Sequence, residues 1–257
     1  MHIIPNWRGQ PIEVARSEGG TLAVVHPRDN LIMPGTILWP PPEIVQKLHQ
    51  SRRQRAFAQA DLQAVTRVLG FYSDLQSLNS EDAMTWSVFG PLAYADNSTK
   101  CAFVNALFNL IGVSVSPMGV ANIWLWRRIL HPETLGLNGP EIDFGVETEQ
   151  AVLFGEAKWS SDVDRAQGKT GSKDQIALRR EFLEKYGRAI FGPISHYIVL
   201  GVSLYGNILK PEDVNLGNAV LYLRDVTWDS VCGITNHPVH DELVCYLEWK
   251  RRYSKAG

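Results

Sequence analysis

The sequence contains little of what marks a secreted or membrane protein. It has only three cysteines, Cys101, Cys232 and Cys245, in 257 residues, which is too few for a disulfide scaffold and typical of a reducing cytosol. No apolar run approaches the roughly 18 residues that a membrane-spanning helix needs. The first eight residues lack the basic and apolar regions of a signal peptide. We therefore expect a cytoplasmic protein without a membrane partner.

An excess of positive charge is also missing. The chain has 25 basic and 27 acidic residues, which gives a net charge of −2. A general cationic coat is therefore absent, and any binding of nucleic acid must use a local patch. Apolar residues make up 45% of the chain and charged residues 20%. These values are ordinary for a globular protein with a core and exclude a mainly disordered chain or a coiled coil.

The distribution of proline sets the first part of the chain apart. Seven of the 14 prolines lie in the first 42 residues, which predicts irregular or short β-structure, because proline fixes φ and removes a donor. Residues 43–72 are predicted to be helical. We expect residues 1–74 to form an N-terminal extension that covers the core or joins two chains in a homodimer. Residues 75–257 are expected to form the main domain.

The rest of the chain alternates helical and strand patterns. Helices are predicted from residue 81, where Ser80 can act as N-cap, and over residues 100–111, 172–186 and 239–253. Strands are predicted over residues 121–130, 141–148, 151–159, 196–204 and 219–224. Pro91 is expected to bend or interrupt the first of these helices, and Gly187 to end the third. Helices around several short apolar strands predict a mixed α/β fold with a central sheet.

Charged residues occur within two neighbouring apolar strands, Asp143 in the first and Glu156 and Lys158 in the second. Because strand side chains alternate faces, Glu156 and Lys158 point the same way. The two residues that separate the strands predict a hairpin that brings Asp143 beside Glu156. Neighbouring carboxylates repel each other, and a divalent cation such as Mg²⁺ or Mn²⁺ relieves that repulsion. Lys158 would then orient or deprotonate an attacking water, or neutralise charge in the transition state.

A simpler interpretation of the same residues is a surface ion pair on an edge strand, which contributes little to stability. The apolar residues 152–154 favour a central strand instead. A second acid-x-Lys triplet, Glu248-Trp249-Lys250, lies in a predicted helix, where residues two apart face different directions. We interpret that second triplet as solvated surface.

The motifs Pro140-Glu141-Ile142-Asp143 and Glu156-Ala157-Lys158 resemble those of the PD-(D/E)XK nuclease superfamily. The resemblance covers roughly half of the chain, from residue 81 to residue 204, in the order helix, three strands, helix, strand. It implies a restriction-endonuclease-like core, in which a central mixed β-sheet is flanked by helices. The family's first acid could be Glu141 or Asp143, which share a strand face, and we prefer Asp143.

The resemblance implies roles for two further residues. Glu81 would be a third metal ligand on the first helix, although the helix dipole alone favours an acid in a first turn. Gln175 would support the catalytic residues from the helix after the third strand. Alternatively, Gln175 could form a capping box with Ser172.

A local basic patch lies next to this predicted site. Residues 165–188 contain seven basic and three acidic residues, a local excess of four positive charges. Phosphate contacts there would position a nucleic acid without reading its sequence, and a plain solvated surface is the alternative. The candidate contacts are Arg165, Lys169, Lys173 and Arg179.

These observations predict a Mg²⁺- or Mn²⁺-dependent nuclease whose partner is nucleic acid, with DNA expected. The catalytic residues would be Asp143, Glu156, Lys158 and Gln175, and the metal ligands would be Asp143, Glu156 and Glu81. The alternative is a nuclease fold without cleavage, acting as a nucleic-acid-binding or assembly subunit. The intact Asp–Glu–Lys set favours the enzyme.

Overall fold

The computed structural model describes residues 1–16, 20–35, 37–50, 73–115, 119–134, 139–159 and 175–254. The chain divides into two compact units, one formed by Met1–Tyr94 with Val239–Gly257 and the other by Ala95–Pro238. The boundary expected between residues 74 and 75 lies inside the first unit. The C-terminal segment joins that unit through side chains, because Trp249 Nε1 donates to the Pro5 carbonyl at 2.9 Å.

The described residues form helices and strands close to the predicted ones. The helices are α1 (Pro42–Gln50), α2 (Glu81–Ala93), α3 (Asn97–Leu110), α4 (Gln175–Phe191), α5 (Trp228–Cys232) and α6 (His240–Tyr253). The strands are β1 (His2–Pro5), β2 (Pro11–Arg16), β3 (Leu22–Val24), β4 (Ala121–Arg128), β5 (Glu141–Thr148), β6 (Ala151–Ala157), β7 (His196–Ser203), β8 (Glu212–Asn215) and β9 (Val220–Thr227). Of the helix predicted over residues 43–72, the part after residue 50 lies outside the described residues.

The first unit contains a small antiparallel sheet in the order β1-β2-β3, together with α1, α2 and α6. Short β-structure in the proline-rich segment is therefore confirmed. Ser80 caps α2, since its Oγ accepts from the Ala83 amide at 3.1 Å. Pro91 lies inside α2, which continues to Ala93, so the expected interruption is not found.

The second unit is built on a six-stranded sheet in the order β4-β5-β6-β7-β9-β8. The pairs β4/β5, β5/β6 and β8/β9 are antiparallel, and the pairs β6/β7 and β7/β9 are parallel. The sheet is therefore mixed, and the predicted α/β class is confirmed. The predicted hairpin is also present, with two residues between β5 and β6.

Helix α4 connects β6 to β7 and covers one face of this sheet. Its residues Ile176, Phe182 and Leu183 lie in one buried cluster with Phe154 and Val199 of the sheet. Burial of one such side chain stabilises the fold by about 1.5–3 kcal/mol. This packing fixes the first turn of α4 over the carboxyl end of β6.

Glycine determines how closely α4 approaches the sheet. The helix does not end at Gly187 as expected but continues to Phe191, and Gly192 follows with a φ of +78°. A Cβ atom at Gly187 would lie 2.9 Å from a ring carbon of Tyr197 on β7. Gly187 is therefore explained by close helix–sheet contact rather than by chain termination.

The interpretation of the Glu248 triplet as solvated surface is wrong for two of its three residues. Trp249 and Lys250 are buried, and Lys250 Nζ donates to the Ser80 carbonyl at 3.3 Å. Both side chains lie on the face of α6 that packs into the first unit. Desolvation lowers the pKa of Lys250 to about 7.

In the part of the chain that is described, no helix combines the length and the apolar character needed to cross a membrane.

Candidate active site

The carboxylate of Glu156 is the centre of the candidate site. Glu156 lies near the carboxyl end of β6, with β5 on one side and β7 on the other, and its side chain is 2% exposed. Lys158 Nζ lies 2.7 Å from Glu156 Oε1. The alternative of a surface ion pair on an edge strand is therefore wrong, because β6 is central and Glu156 is buried.

Gln175 approaches the same carboxylate from the first turn of α4. With its amide nitrogen turned towards Glu156, Gln175 donates to Oε1 at 2.6 Å and to Oε2 at 3.2 Å. The helix that carries Gln175 thus places a neutral donor on a buried acid. Ser172, the partner in the alternative capping box, lies outside the described residues.

Arg179 follows one turn later on α4 and forms an ion pair with Glu156 through Nη2 and Oε2. The same Nη2 donates to the Glu141 carbonyl at 2.9 Å, so the guanidinium links α4 to both β5 and β6. Arg179 was expected among the phosphate contacts, but its side chain is only 3% exposed and lies inside the site. Arg179 lies four residues after Gln175, so the two side chains share the helix face that includes the apolar Ile176. This spacing was the sequence signal that Arg179 lies beside Gln175 in the site.

Asp143 lies on β5 at the point where the pairing with β6 stops. Phe144 and Gly155 form the last backbone pair at this end, and beyond it Asp143 Oδ2 accepts from the Ala157 amide at 2.9 Å. The Asp143 carboxylate is thereby held beside the end of β6. Glu141, by contrast, forms a solvent-exposed ion pair with Arg128, which favours Asp143 as the acid of the site.

The pKa of Glu156 reflects these surroundings. Burial is the largest cause and raises it, and the charge of Asp143 raises it further. The charges of Arg179 and Lys158 lower it, and the pKa is about 7, above the ordinary 4.5. The surroundings therefore favour the protonated form of Glu156 more than water does.

The strands on either side of the two acids carry an unusual backbone conformation at Trp126 and a glycine at Gly201. Trp126, on β4, has a φ of +47° and lies between residues that pair with Phe144 and Ile142 on β5, opposite Asp143. A bulky residue in the left-handed region is uncommon and is more frequent at functional sites. On the other side, Glu156 pairs with Gly201 of β7.

Asp225 is a third acid on the same row of the sheet, and no sequence motif pointed to it. It pairs with Gly201, and a Cβ at Gly201 would lie 2.8 Å from Asp225 Oδ1. Asp225 Oδ2 accepts from the Leu209 amide at 3.1 Å. Partial burial raises the pKa of Asp225. Asp225 thus fixes the loop after β7 next to the site.

The roles of four other predicted residues stay predictions. Arg165, Lys169 and Lys173 lie outside the described residues. Glu81 is the first residue of α2 and belongs to the first unit, so its role as a metal ligand stays a prediction.

Among the residues that the structure describes, the site offers a cation two carboxylates, those of Asp143 and Glu156. No group of three or more His, Cys, Asp or Glu side chains is placed to hold a metal ion within the described residues.

Comparisons of the chain with protein-family models, with curated proteins and with solved structures found no match.

Proposed function

We propose that this protein is a metal-dependent nuclease that hydrolyses phosphodiester bonds, with DNA as its substrate. The observation that carries the proposal is the convergence of an acid from β5 with an acid and a lysine from β6. Lys158 Nζ lies 2.7 Å from the Glu156 carboxylate, and the Asp143 carboxylate is bonded to the amide between them.

The order of elements in the second unit supports the same proposal. Helix α3 is followed by β4, β5 and β6, then by α4 and β7. The first three strands pair antiparallel and the fourth is parallel to the third. This arrangement resembles a restriction-endonuclease-like core, with the acid on the second strand and the acid-x-Lys triplet on the third.

The donor set fits a hard divalent cation. Carboxylate oxygens are the ligands that Mg²⁺ prefers, and proteins often supply only one or two of them, while waters and substrate phosphate complete the shell. Asp143 and Glu156 would hold the ion. When bound, such an ion polarises the scissile phosphate and lowers the pKa of a bound water.

Lys158 would act on the substrate. Its side chain is 28% exposed while its Nζ contacts Glu156, so the ammonium lies at the solvent edge of the site. Trp228 Nε1 donates to the Lys158 carbonyl at 2.8 Å, which holds the backbone in place. From this position the ammonium can stabilise negative charge that develops on the phosphate.

Cleavage of supercoiled plasmid and of labelled oligonucleotides tests the proposal, with Mg²⁺, Mn²⁺ or EDTA in the buffer. We expect cleavage by the wild type with metal, and loss of it in Lys158→Ala. Lys185→Ala is the matched control, because Lys185 is an exposed lysine of α4 that pairs with Glu133. Equal cleavage by wild type and Lys158→Ala would indicate a contaminant and contradict the proposal.

A second candidate is a nuclease fold that binds nucleic acid without cutting it. The observation that favours it is that two cations, Lys158 and Arg179, already compensate the Glu156 charge. Binding of labelled DNA that weakens with salt, without cleavage under any metal condition, would support this candidate instead.

A further inference from the structure

Among the described residues, the side-chain charges that contact or adjoin Glu156 balance without a metal ion. When both acids are ionised, Asp143 and Glu156 supply two negative charges, and Lys158 and Arg179 supply two positive charges. The PD-(D/E)XK motif by itself accounts for the two acids and the lysine only. Arg179 is therefore an additional cation at the centre of the site.

The two cations differ in how firmly they are held. Lys158 is at the solvent edge, whereas the Arg179 side chain is 3% exposed. Arg179 is fixed by the packing of α4 and by its bond to the Glu141 carbonyl. A guanidinium remains charged at any pH that the protein meets, so this positive charge is permanent.

Arg179 also depends on Glu156. Within the described residues its Nε is buried without a hydrogen-bond partner, and the Glu156 carboxylate is the anion that its Nη2 contacts. A buried cation that loses its carboxylate is strongly unfavourable. A metal ion that draws the Glu156 carboxylate away from Arg179 must overcome that cost.

We propose that Arg179 is an internal cation that competes with a divalent metal ion for the Glu156 carboxylate, so that the site takes up one ion and binds it weakly. The inference rests on the proposed function, because it concerns the metal that a nuclease of this kind would use. With both acids ionised, one divalent ion brings the net charge of the ion and the four side chains to +2, and a second ion would bring it to +4 in a largely buried site. Like charges at such short range repel strongly where water is scarce.

Calorimetric titration of the full chain with MnCl₂ tests this inference. We expect the wild type to bind one Mn²⁺ per chain, and Arg179→Met to bind Mn²⁺ at least about tenfold more tightly, because the competing charge is gone while the volume is largely kept. Lys158→Met is the matched variant, since it removes a charge from the same carboxylate. Its gain should be smaller, because water screens the partly exposed lysine.

One further variant and two further measurements keep the test decisive if Arg179→Met does not fold. Arg179→Lys retains the charge and should keep the weak affinity of the wild type. Electron paramagnetic resonance of Mn²⁺ counts the ions on the wild type, where one per chain is expected. Circular dichroism melting curves show which variants are folded.

The inference is overturned if folded Arg179→Met binds Mn²⁺ no more tightly than the wild type, or if the wild type binds two ions. These outcomes leave the nuclease proposal intact, since cleavage is measured separately. Tighter Mn²⁺ binding by Arg179→Met without any cleavage would keep the inference and contradict the nuclease. An absence of Mn²⁺ binding in wild type, Arg179→Met and Lys158→Met alike would overturn both.

Discussion

The guanidinium of Arg179 on α4 contacts the carboxylate of Glu156 on β6 where both side chains are shielded from water. Such a pair is rarely a net source of stability, because removing two charges from water costs about as much as their attraction returns. Removing one partner is different, since it leaves a buried charge without compensation. The pair therefore makes the second unit sensitive to single substitutions at this site.

Arg179→Ala is expected to lower the free energy of unfolding by about 3 kcal/mol. This value is at the lower end of the range for broken buried ion pairs, because Glu156 can take up a proton and so avoid an uncompensated charge. Arg180→Ala is the matched control: Arg180 is adjacent on α4 and pairs with Glu184 and Glu212 at the surface. Exposed pairs contribute less than about 1 kcal/mol. Urea unfolding curves compare the two variants, and equal losses would contradict the buried pair.

The raised pKa of Glu156 predicts how stability changes with pH. The folded chain holds this proton more tightly than the unfolded chain, so the group favours folding most below pH 4.5. This contribution is lost as the pH rises from 4.5 to about 7. Relative to Glu156→Gln, the wild type should therefore lose stability over that interval, by on the order of 2 kcal/mol.

Urea unfolding at a series of pH values between 5 and 8 measures the difference between wild type and Glu156→Gln. Glu141→Gln serves as the control, because Glu141 is an exposed acid on the neighbouring strand. A wild type that gains stability relative to Glu156→Gln as the pH rises would show that the pKa of Glu156 is lowered instead.

Lys250 predicts the opposite slope at higher pH. Burial lowers its pKa to about 7 from 10.5, so between these values the unfolded chain binds more protons and stability rises with pH. Below about pH 7 the folded chain must bury the charge. Lys250→Met should therefore stabilise the chain at pH 6 and remove the rise above pH 7, whereas the exposed Arg252→Met should change neither. Thermal melts at pH 6 and pH 9 test this prediction, and a Lys250→Met variant that is destabilised at pH 6 would contradict the lowered pKa of Lys250.

The sequence was sufficient to place the two acids because strand pattern and hairpin length are local. The alternation along residues 151–157 and the two-residue connection bring Asp143 beside Glu156 whatever the rest of the chain does. Arg179 and Lys250 were misplaced for one shared reason. On a helix, the burial of a charged residue depends on which face the tertiary structure covers, and long side chains can lie on either side of an apolar stripe.

Local sequence patterns also could not predict that the C-terminal segment joins the first unit. Trp7 lies 4.9 Å from Tyr246, ring centre to ring centre, and its Nε1 donates to Glu242, across more than 230 residues of chain. Hydrophobic periodicity predicts α6 as a helix. It contains no information on which distant segment that helix packs against.

The last prediction concerns Gln175, whose amide donates to both oxygens of Glu156. Gln175→Ala removes these hydrogen bonds from a neutral donor without adding charge. We expect kcat/KM for oligonucleotide cleavage to fall about tenfold to a hundredfold, because a hydrogen bond to a charged group contributes about 1.5–3 kcal/mol. This loss should be smaller than the loss in Lys158→Ala. Gln175→Glu should lose more, because it places a second carboxylate against Glu156 and repels it. Leu178→Ala is the control, an exposed residue of the same helix. If Gln175→Glu cleaves as fast as the wild type, Gln175 does not hold Glu156 in the proposed reaction.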